Sequence, residues 1–468
     1  MEILQVSTRD TGGGAEQIAW NFFQEYRRAG HGSRLAVGKK LSADPDVFEI
    51  GSLGRTSRWT AIWKRLSRRL DPWAGRVRGA ARLQVLLETR VARPQGWLSY
   101  WHGYEDFDYP ETEALLGNLS RAVSIMHCHN LHGGYFDLRA LPKLCRRSPV
   151  LLTLHDAWML SGHCAHSLDC TRWESGCGRC PRLDLPPAIL RDGTARNWAK
   201  KKEIYRDCRL WVATPSQWLL NKVNASILGP AVVEGRVIRN GIDLAVFCPG
   251  DKLTARNQLG FSADARILLF SAKLIHKNLY KDFALMRQVM QILGRDGDRE
   301  EIILVALGDR GSTEHYGRCE IRYTGWCAGQ AAVATYYQAA DIYLHAAKEE
   351  TFPTAILEAL ACGVPVVATA VGGIPEQVVS VDGLGHVGET ERGMPPTGVL
   401  VPPGDAHAMS RAVRLLLADA TLRNKLSEGG VRQARERYCI KGQAKKYLEY
   451  YEAICRRFKE EQSKKREQ

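Results

Sequence analysis

Glu350 to Glu376 read ETFPTAILEALACGVPVVATAVGGIPE, and this stretch decides the architecture. Ile356, Leu357, Leu360 and Ala361 recur on one side of a short helix. Gly363 closes it, because glycine accepts the left-handed backbone that ends a helix. Val364 to Ala368 is then almost wholly apolar, as in a parallel strand covered on both faces. Gly372 and Gly373 open a further helix at Pro375 and Glu376, whose first N–H groups would suit a phosphate or another anion. Two carboxylates, Glu350 and Glu358, stand eight residues apart across the first helix. Surface acids would give the same spacing, but the flanking Phe352-Pro353, the Ala-Cys-Gly-Val-Pro bend and the double glycine favour a site.

Working outward, the same alternation recurs on both sides. Glu2 to Ser7 predicts a strand, followed by Gly12-Gly13-Gly14 and a helix from Ala15 to Ala29 closed by Gly30. This is the opening of a Rossmann-like half, where glycines allow close backbone approach to a ligand. Ser124 to His127 and Val150 to Leu154 are short apolar strands that end in histidine-rich turns, MHCHNLHGGY with His127, His129 and His132, and LLTLHDAW with His155 and Asp156. Ligands of open α/β sheets bind outside the carboxyl ends of strands, where these histidines fall. His127 and His129 share a strand face without a third ligand and read as structural histidines. Strands at Arg266–Ser271, Ile302–Leu307, Ile321–Thr324 and Ile342–His345 alternate with helices and predict a second doubly wound sheet. The expected domains are 1–245, with Asn240-Gly241 and Pro249-Gly250 marking the exit; 246–440; and 441–468, a returning helix with a solvated, frayed tail.

A chain of 468 residues exceeds what one core serves, so two domains of about 200 residues each are expected. With 45% apolar and 25% charged residues the composition is that of a globular protein, not a disordered one. No basic leader precedes an apolar run and no apolar stretch is long enough to span a bilayer, so a cytoplasmic protein is expected. The net charge of +14 is uneven. Arg55, Arg58, Lys64, Arg65, Arg68, Arg69, Arg76, Arg78, Arg82, Arg90 and Arg93 face only Asp71 and Glu88 in that segment. Trp59, Ile62, Trp63, Leu66 and Leu70 recur there at helical spacing, which predicts a basic amphipathic helix on an anionic membrane surface; tryptophans packed into the core are the alternative. No nucleic-acid-binding motif accompanies the charge.

Thirteen cysteines are mostly expected as buried thiols. Cys164, Cys170, Cys177 and Cys180 form a separate cluster, the last two with the two-residue gap of a zinc knuckle and with His163 and His166 close by. A structural zinc site, a stapled loop and plain thiols all fit.

The 350–376 stretch resembles the nucleotide-sugar site of the retaining glycosyltransferases of family four, which have the GT-B architecture of two Rossmann-like domains facing a cleft. Glu350 and Glu358 match the two acids of that family, and Gly372, Gly373, Pro375 and Glu376 match its turn. At about 1.5 Å per helical residue the acids lie on the order of 10 Å apart, comparable to the reach from a donor hexose to its ribose. The resemblance implies that Glu350 faces the transferred sugar, that Glu358 accepts from ribose hydroxyls, and that Thr354, Gly372, Gly373, Gly13 and Gly14 line the donor. It implies that His155 points at the donor sugar from the first domain. Where the family has a basic residue and a Lys-Gly pair for the diphosphate, this chain has Lys273, then Lys277-Asn278 or Lys281-Asp282, and the glycine is missing. Lys273 and Lys281 are the expected pair. Bacterial exopolysaccharide glycosyltransferases of the colanic-acid type carry a similar cysteine-rich loop. The activity implied is sugar transfer with retention from a UDP- or GDP-sugar to a saccharide or lipid-linked acceptor, without a required metal. A nucleotide-sugar epimerase, an inverting transferase and a non-catalytic membrane-bound assembly subunit are the alternatives.

Overall fold

The structure is a computed structural model that describes residues 1–53, 58–73, 77, 79–87, 91–92, 94–117, 122–295, 301–327, 329–381 and 393–467. The chain forms two compact units. The first comprises Met1–Thr214, Leu220–Arg236 and Leu448–Gln468, the second Pro215–Leu219 and Val237–Tyr447.

The first unit is built on strands β1 (Glu2–Arg9), β2 (Gly32–Lys39), β3 (Val47–Glu49), β4 (Ile125–Cys128), β5 (Val150–Thr153), β6 (Leu210–Thr214) and β7 (Val232–Val237). They lie in the order β3-β2-β1-β4-β5-β6-β7. The neighbours from β3 to β6 run parallel. Every residue of β4, β5 and β6 is buried, which is why these strands read as apolar runs rather than alternating ones. The order reverses between β1 and β4, and this is the switch point where a doubly wound sheet leaves a crevice for ligand.

The second unit repeats the plan with β8 (Arg266–Ser271), β9 (Ile302–Leu307), β10 (Glu314–Tyr316), β11 (Cys319–Gly325), β12 (Ile342–His345), β13 (Val366–Thr369) and β14 (Gly398–Val401), ordered β10-β11-β9-β8-β12-β13-β14. Only β10 is antiparallel, folded back on β11 at the sheet edge. The switch point lies between β8 and β12, paired in register Ile342 to Leu268 and Tyr343 to Leu269.

Two expected boundaries move. The units divide at 236/237 rather than 245, because Ile242 already pairs with Cys439 inside the second unit, and a Cβ on Gly241 would sit 2.8 Å from the Ile440 Cα. The expected frayed tail is instead helix: Ile440–Glu467 is one continuous element, and Glu461 is held by Arg457 four residues earlier and by Arg209 at 2.9 Å. Of the basic segment, Arg55, Arg76, Arg78, Arg90, Arg93 and Glu88 lie outside the described residues. Arg58–Arg68 is helical as the periodicity predicts, and the helices Ala80–Leu86 and Pro94–His102 follow.

Candidate active site

At the switch point of the second unit, the chain leaves β8 through Lys273 and Leu274, the latter in a left-handed conformation at φ 53°. It comes back alongside the end of β12. Lys281 forms an isolated antiparallel bridge with Ala347, flanked by bonds from Asp282 N to Ala346 O and from Lys348 N to Tyr280 O. This backbone pairing aims the Lys281 ammonium at two side chains at once. It forms an ion pair with the Glu350 carboxylate and donates to His345 Nε2 at 2.9 Å. Lys281 and Glu350 are mostly enclosed, with side chains 9% and 17% exposed. Of the two lysines that could follow Lys273, Lys281 is the one brought to the acid, and Lys277 is exposed. Lys273 is exposed as well, and its ammonium lies 5.8 Å from the ring centre of Trp326.

His345 was not singled out in the sequence, where it reads as the last residue of a strand. It is fully buried, and burial together with the nearby Lys281 charge holds its pKa well below the ordinary histidine value. The ring is therefore neutral. Since Nε2 accepts from an ammonium, the proton sits on Nδ1, which donates to the Tyr343 hydroxyl at 3.1 Å. Tyr343 and His345 thus brace Lys281 from beneath.

Glu358 lies within the helix Thr354–Ala361. The Tyr337 hydroxyl donates to its Oε2 at 3.0 Å, and the Thr354 side chain also bonds it. Burial nevertheless dominates and pushes the carboxyl up to about 7. A carboxylate at that value gains from any additional hydroxyl donor, because donors stabilise the charged form.

The glycine turn differs from its expectation. Ile374–Glu376 is a single 3-10 turn rather than a longer helix, and the Gly373 N–H already donates to Glu350 O at 2.9 Å. The turn is closely packed. A Cβ on Gly372 would fall 1.9 Å from Glu350 O, and one on Gly373 would fall 1.9 Å from Thr351 O. Absent side chains let the turn lie against the backbone of Glu350 and Thr351 and fix where that carboxylate starts. Glu376 is engaged structurally too, accepting from Gln217 N and Trp218 N, both at 2.8 Å.

In the first unit, Gly12 has φ 117° and the helix Gly14–Arg28 begins directly after Gly13. Gly12 and Gly14 have open space where a Cβ would project, so this loop is accessible to a ligand. His127 is buried between Thr153 Oγ1 and the Tyr451 hydroxyl, each at 2.6 Å. His129 Nδ1 lies 3.0 Å from His155 Nε2, the two rings stacked at 5.3 Å. Burial lowers the pKa of His155 to about 4, so it is a neutral ring packed on another histidine. His132 has the opposite character. Burial would lower its pKa, but Asp156, 2.8 Å from Nε2, more than compensates and raises it. Asp156 in turn is held at about 2 against burial, by His132 and by the Trp158 N–H at 2.9 Å. Sequence spacing alone did not distinguish His132 from its neighbours; the carboxylate partner comes from a different strand end.

Cys164, Cys170, Cys177 and Cys180 do converge. Together with His163 they line one small cavity of about 20 Å³. The Gly162 N–H donates to Cys177 Sγ at 3.3 Å, and His163 Nε2 lies 3.4 Å from Cys180 Sγ. Burial raises the thiols of Cys164, Cys177 and Cys180, Cys177 to about 11. Among the described residues no group of three or more His, Cys, Asp or Glu has the arrangement to hold a metal ion. The zinc expectation therefore finds no support in the geometry, and all four cysteines are free thiols.

The strand orders and chain tracing are those of GT-B glycosyltransferases. Sucrose-phosphate synthase of Thermosynechococcus elongatus superposes with a TM-score of 0.60, at 18% identity over 97% of this chain and 99% of that one. HepE of Anabaena, solved in complex with UDP-glucose, superposes with a TM-score of 0.57, at 15% identity over 97% and 100%. Residues 251–433 match the family described as Glycosyl transferases group 1. The family match is confined to residues 251–433, and the superpositions show a GT-B fold. WcaC of Escherichia coli K12, named as a colanic acid biosynthesis glycosyl transferase, is 24% identical over 264 residues, covering 52% of this chain and 59% of that protein. A D-inositol 3-phosphate glycosyltransferase of Kineococcus radiotolerans is 32% identical over 213 residues, covering 42% and 47%. The chain spans about half the length of these curated relatives.

Proposed function

We propose that this protein is a retaining glycosyltransferase that moves a sugar from a nucleoside-diphosphate donor to a saccharide or lipid-linked saccharide acceptor in surface-polysaccharide assembly. The observation that carries the reading is the cluster of Lys281, Glu350 and His345 at the switch point of the second unit. In the proposed complex, a diphosphate oxygen replaces Glu350 as the partner of Lys281, and Glu350 is released to accept from hydroxyls of the donor sugar. Lys273, exposed above Trp326, adds a second cation for the diphosphate. Glu358 takes the ribose hydroxyls and ionises as it does so. The bond from the anomeric carbon to the diphosphate breaks, a bond to the acceptor oxygen forms on the same face, and the acceptor proton passes to the departing diphosphate. Cations fixed where charge grows would supply the acceleration. The first unit, taken by itself, is proposed to offer its glycine loop and the pair His132 and Asp156 to saccharide hydroxyls. WcaC's name supports the exopolysaccharide setting.

Among the described residues no helix is long and apolar enough to cross a membrane. A lipid-linked acceptor would instead bring the protein peripherally to the inner face of the cell membrane. The test is transfer itself: incubation with UDP-, GDP- and ADP-sugars and a lipid-linked saccharide, with the product's mass and anomeric configuration read by mass spectrometry and NMR. A lengthened acceptor with the donor's configuration supports the proposal; an epimerised free donor or an inverted product overturns it.

A further inference from the structure

We infer that the helices Arg58–Arg68, Ala80–Leu86 and Pro94–His102 dock the first unit on an anionic lipid bilayer by inserting apolar side chains, a surface that rests on the glycosyltransferase reading only for its purpose. Sixteen large apolar residues are exposed among the described residues, and eleven of them fall between Trp59 and Trp101. That concentration is not the scatter of single apolar residues on an ordinary surface. Trp59, Ile62 and Leu66 recur on one face of the first helix at 53%, 55% and 43% exposure, and Trp97, Leu98 and Trp101 share a face of the third at 40%, 53% and 46%. The alternative of tryptophans packed into the core fails for these positions. Trp59 keeps its indole N–H bonded to Val91 O at 2.8 Å and meets the ring of Trp63 edge-on at 5.6 Å, so the exposed face belongs to an ordered helix.

Charge selects the occupant. Arg65, Arg68, Arg69 and Arg82 are exposed around the apolar face, and the Arg191 guanidinium stacks on Trp101 at 5.0 Å. Between residues 58 and 102, Asp71 is the one acid among the described residues, and it already accepts from Gln84. Tryptophan rings with cations beside them match the interface of a bilayer, where indoles sit at headgroup level and guanidinium groups meet lipid phosphates.

Flotation of the full chain with vesicles of phosphatidylcholine alone, or with roughly 30 mol % phosphatidylglycerol, tests this. The wild type should float at least roughly tenfold better with anionic vesicles, and lipids brominated along the acyl chain should quench its tryptophan fluorescence. The variant Trp97→Ser/Leu98→Ser/Trp101→Ser should lose most of the binding. Equal recovery with neutral and anionic vesicles overturns the inference. Binding without quenching by acyl-chain bromine overturns insertion. A dimer by light scattering that this variant converts to monomer assigns the face to a second copy instead. Should the variant fail to fold, the wild-type quenching still decides. Thermal response to nucleotide-sugars, measured on the same preparations, separates this inference from the glycosyltransferase reading: lost flotation with an intact response overturns only the surface.

Discussion

Replacing Glu358 with glutamine should make the protein more stable at pH 8 and leave it nearly unchanged at pH 4. Burial raises this carboxyl from an ordinary 4.5 to about 7, against the bonds from Tyr337 and Thr354. Below 4.5 the group is protonated in both folded and unfolded chains and contributes nothing. Between 4.5 and 7 the unfolded chain ionises while the folded one does not, so stability falls by about 1.4 kcal/mol per pH step. Above 7 both are ionised and the loss levels off at about 3 kcal/mol. Glutamine is isosteric, keeps an oxygen to accept from the Tyr337 hydroxyl at the same 3.0 Å, and cannot ionise. Urea denaturation of both proteins from pH 4 to pH 8.5 isolates the effect, because other titrating groups cancel in the difference. A difference that grows through this window and then flattens is expected. One that is flat across it, or favours the wild type at high pH, refutes the reasoning.

Three further outcomes follow from the site. Gly372→Ala and Gly373→Ala each drive a Cβ into a backbone carbonyl 1.9 Å away, so donor binding measured by calorimetry should weaken by roughly tenfold or more as Glu350 is displaced. Lys281→Ala should lower turnover by about 10²–10³-fold, whereas Lys277→Ala, at an exposed position, should change it less than about threefold. Asp156→Asn removes the main carboxylate that raises His132 against burial, so the His132 pKa should fall from its wild-type value by NMR titration. In the wild type, where that pKa is raised, the pair's contribution to stability is full below 6.5 and is lost as pH climbs through the folded value; the variant should lack this loss.

Much of this was legible in the sequence, and the limits have physical causes. β4, β5, β8, β9 and β13 announced themselves because parallel strands buried on both faces leave unbroken apolar runs. β2 and β3 did not: GSRLAVGK mixes glycine and basic residues into its run, and β3 has only three residues. Glu350 and Lys281 were legible as members of a pattern, but their meeting depends on the bridge of Lys281 to Ala347, a contact between segments far apart in the chain. His345 and the pairing of His132 with Asp156 were hidden for the same reason, since what a histidine does depends on burial and partner rather than on its neighbours in sequence. Local chemistry alone makes the double glycine an anion site. Its backbone N–H bond to Glu350 and the carbonyls crowding its absent Cβ atoms add a second role, support of the Glu350 backbone.

The central claim is that Lys281 and Glu350 together hold a nucleotide-sugar. Thermal shift with UDP-, GDP- and ADP-sugars, run on the wild type, Lys281→Ala and Glu350→Ala, tests it most directly. The account predicts that one donor class raises the melting temperature of the wild type and that the rise disappears in both variants. A wild type stabilised by none of these donors, or variants stabilised as strongly as the wild type, would contradict it.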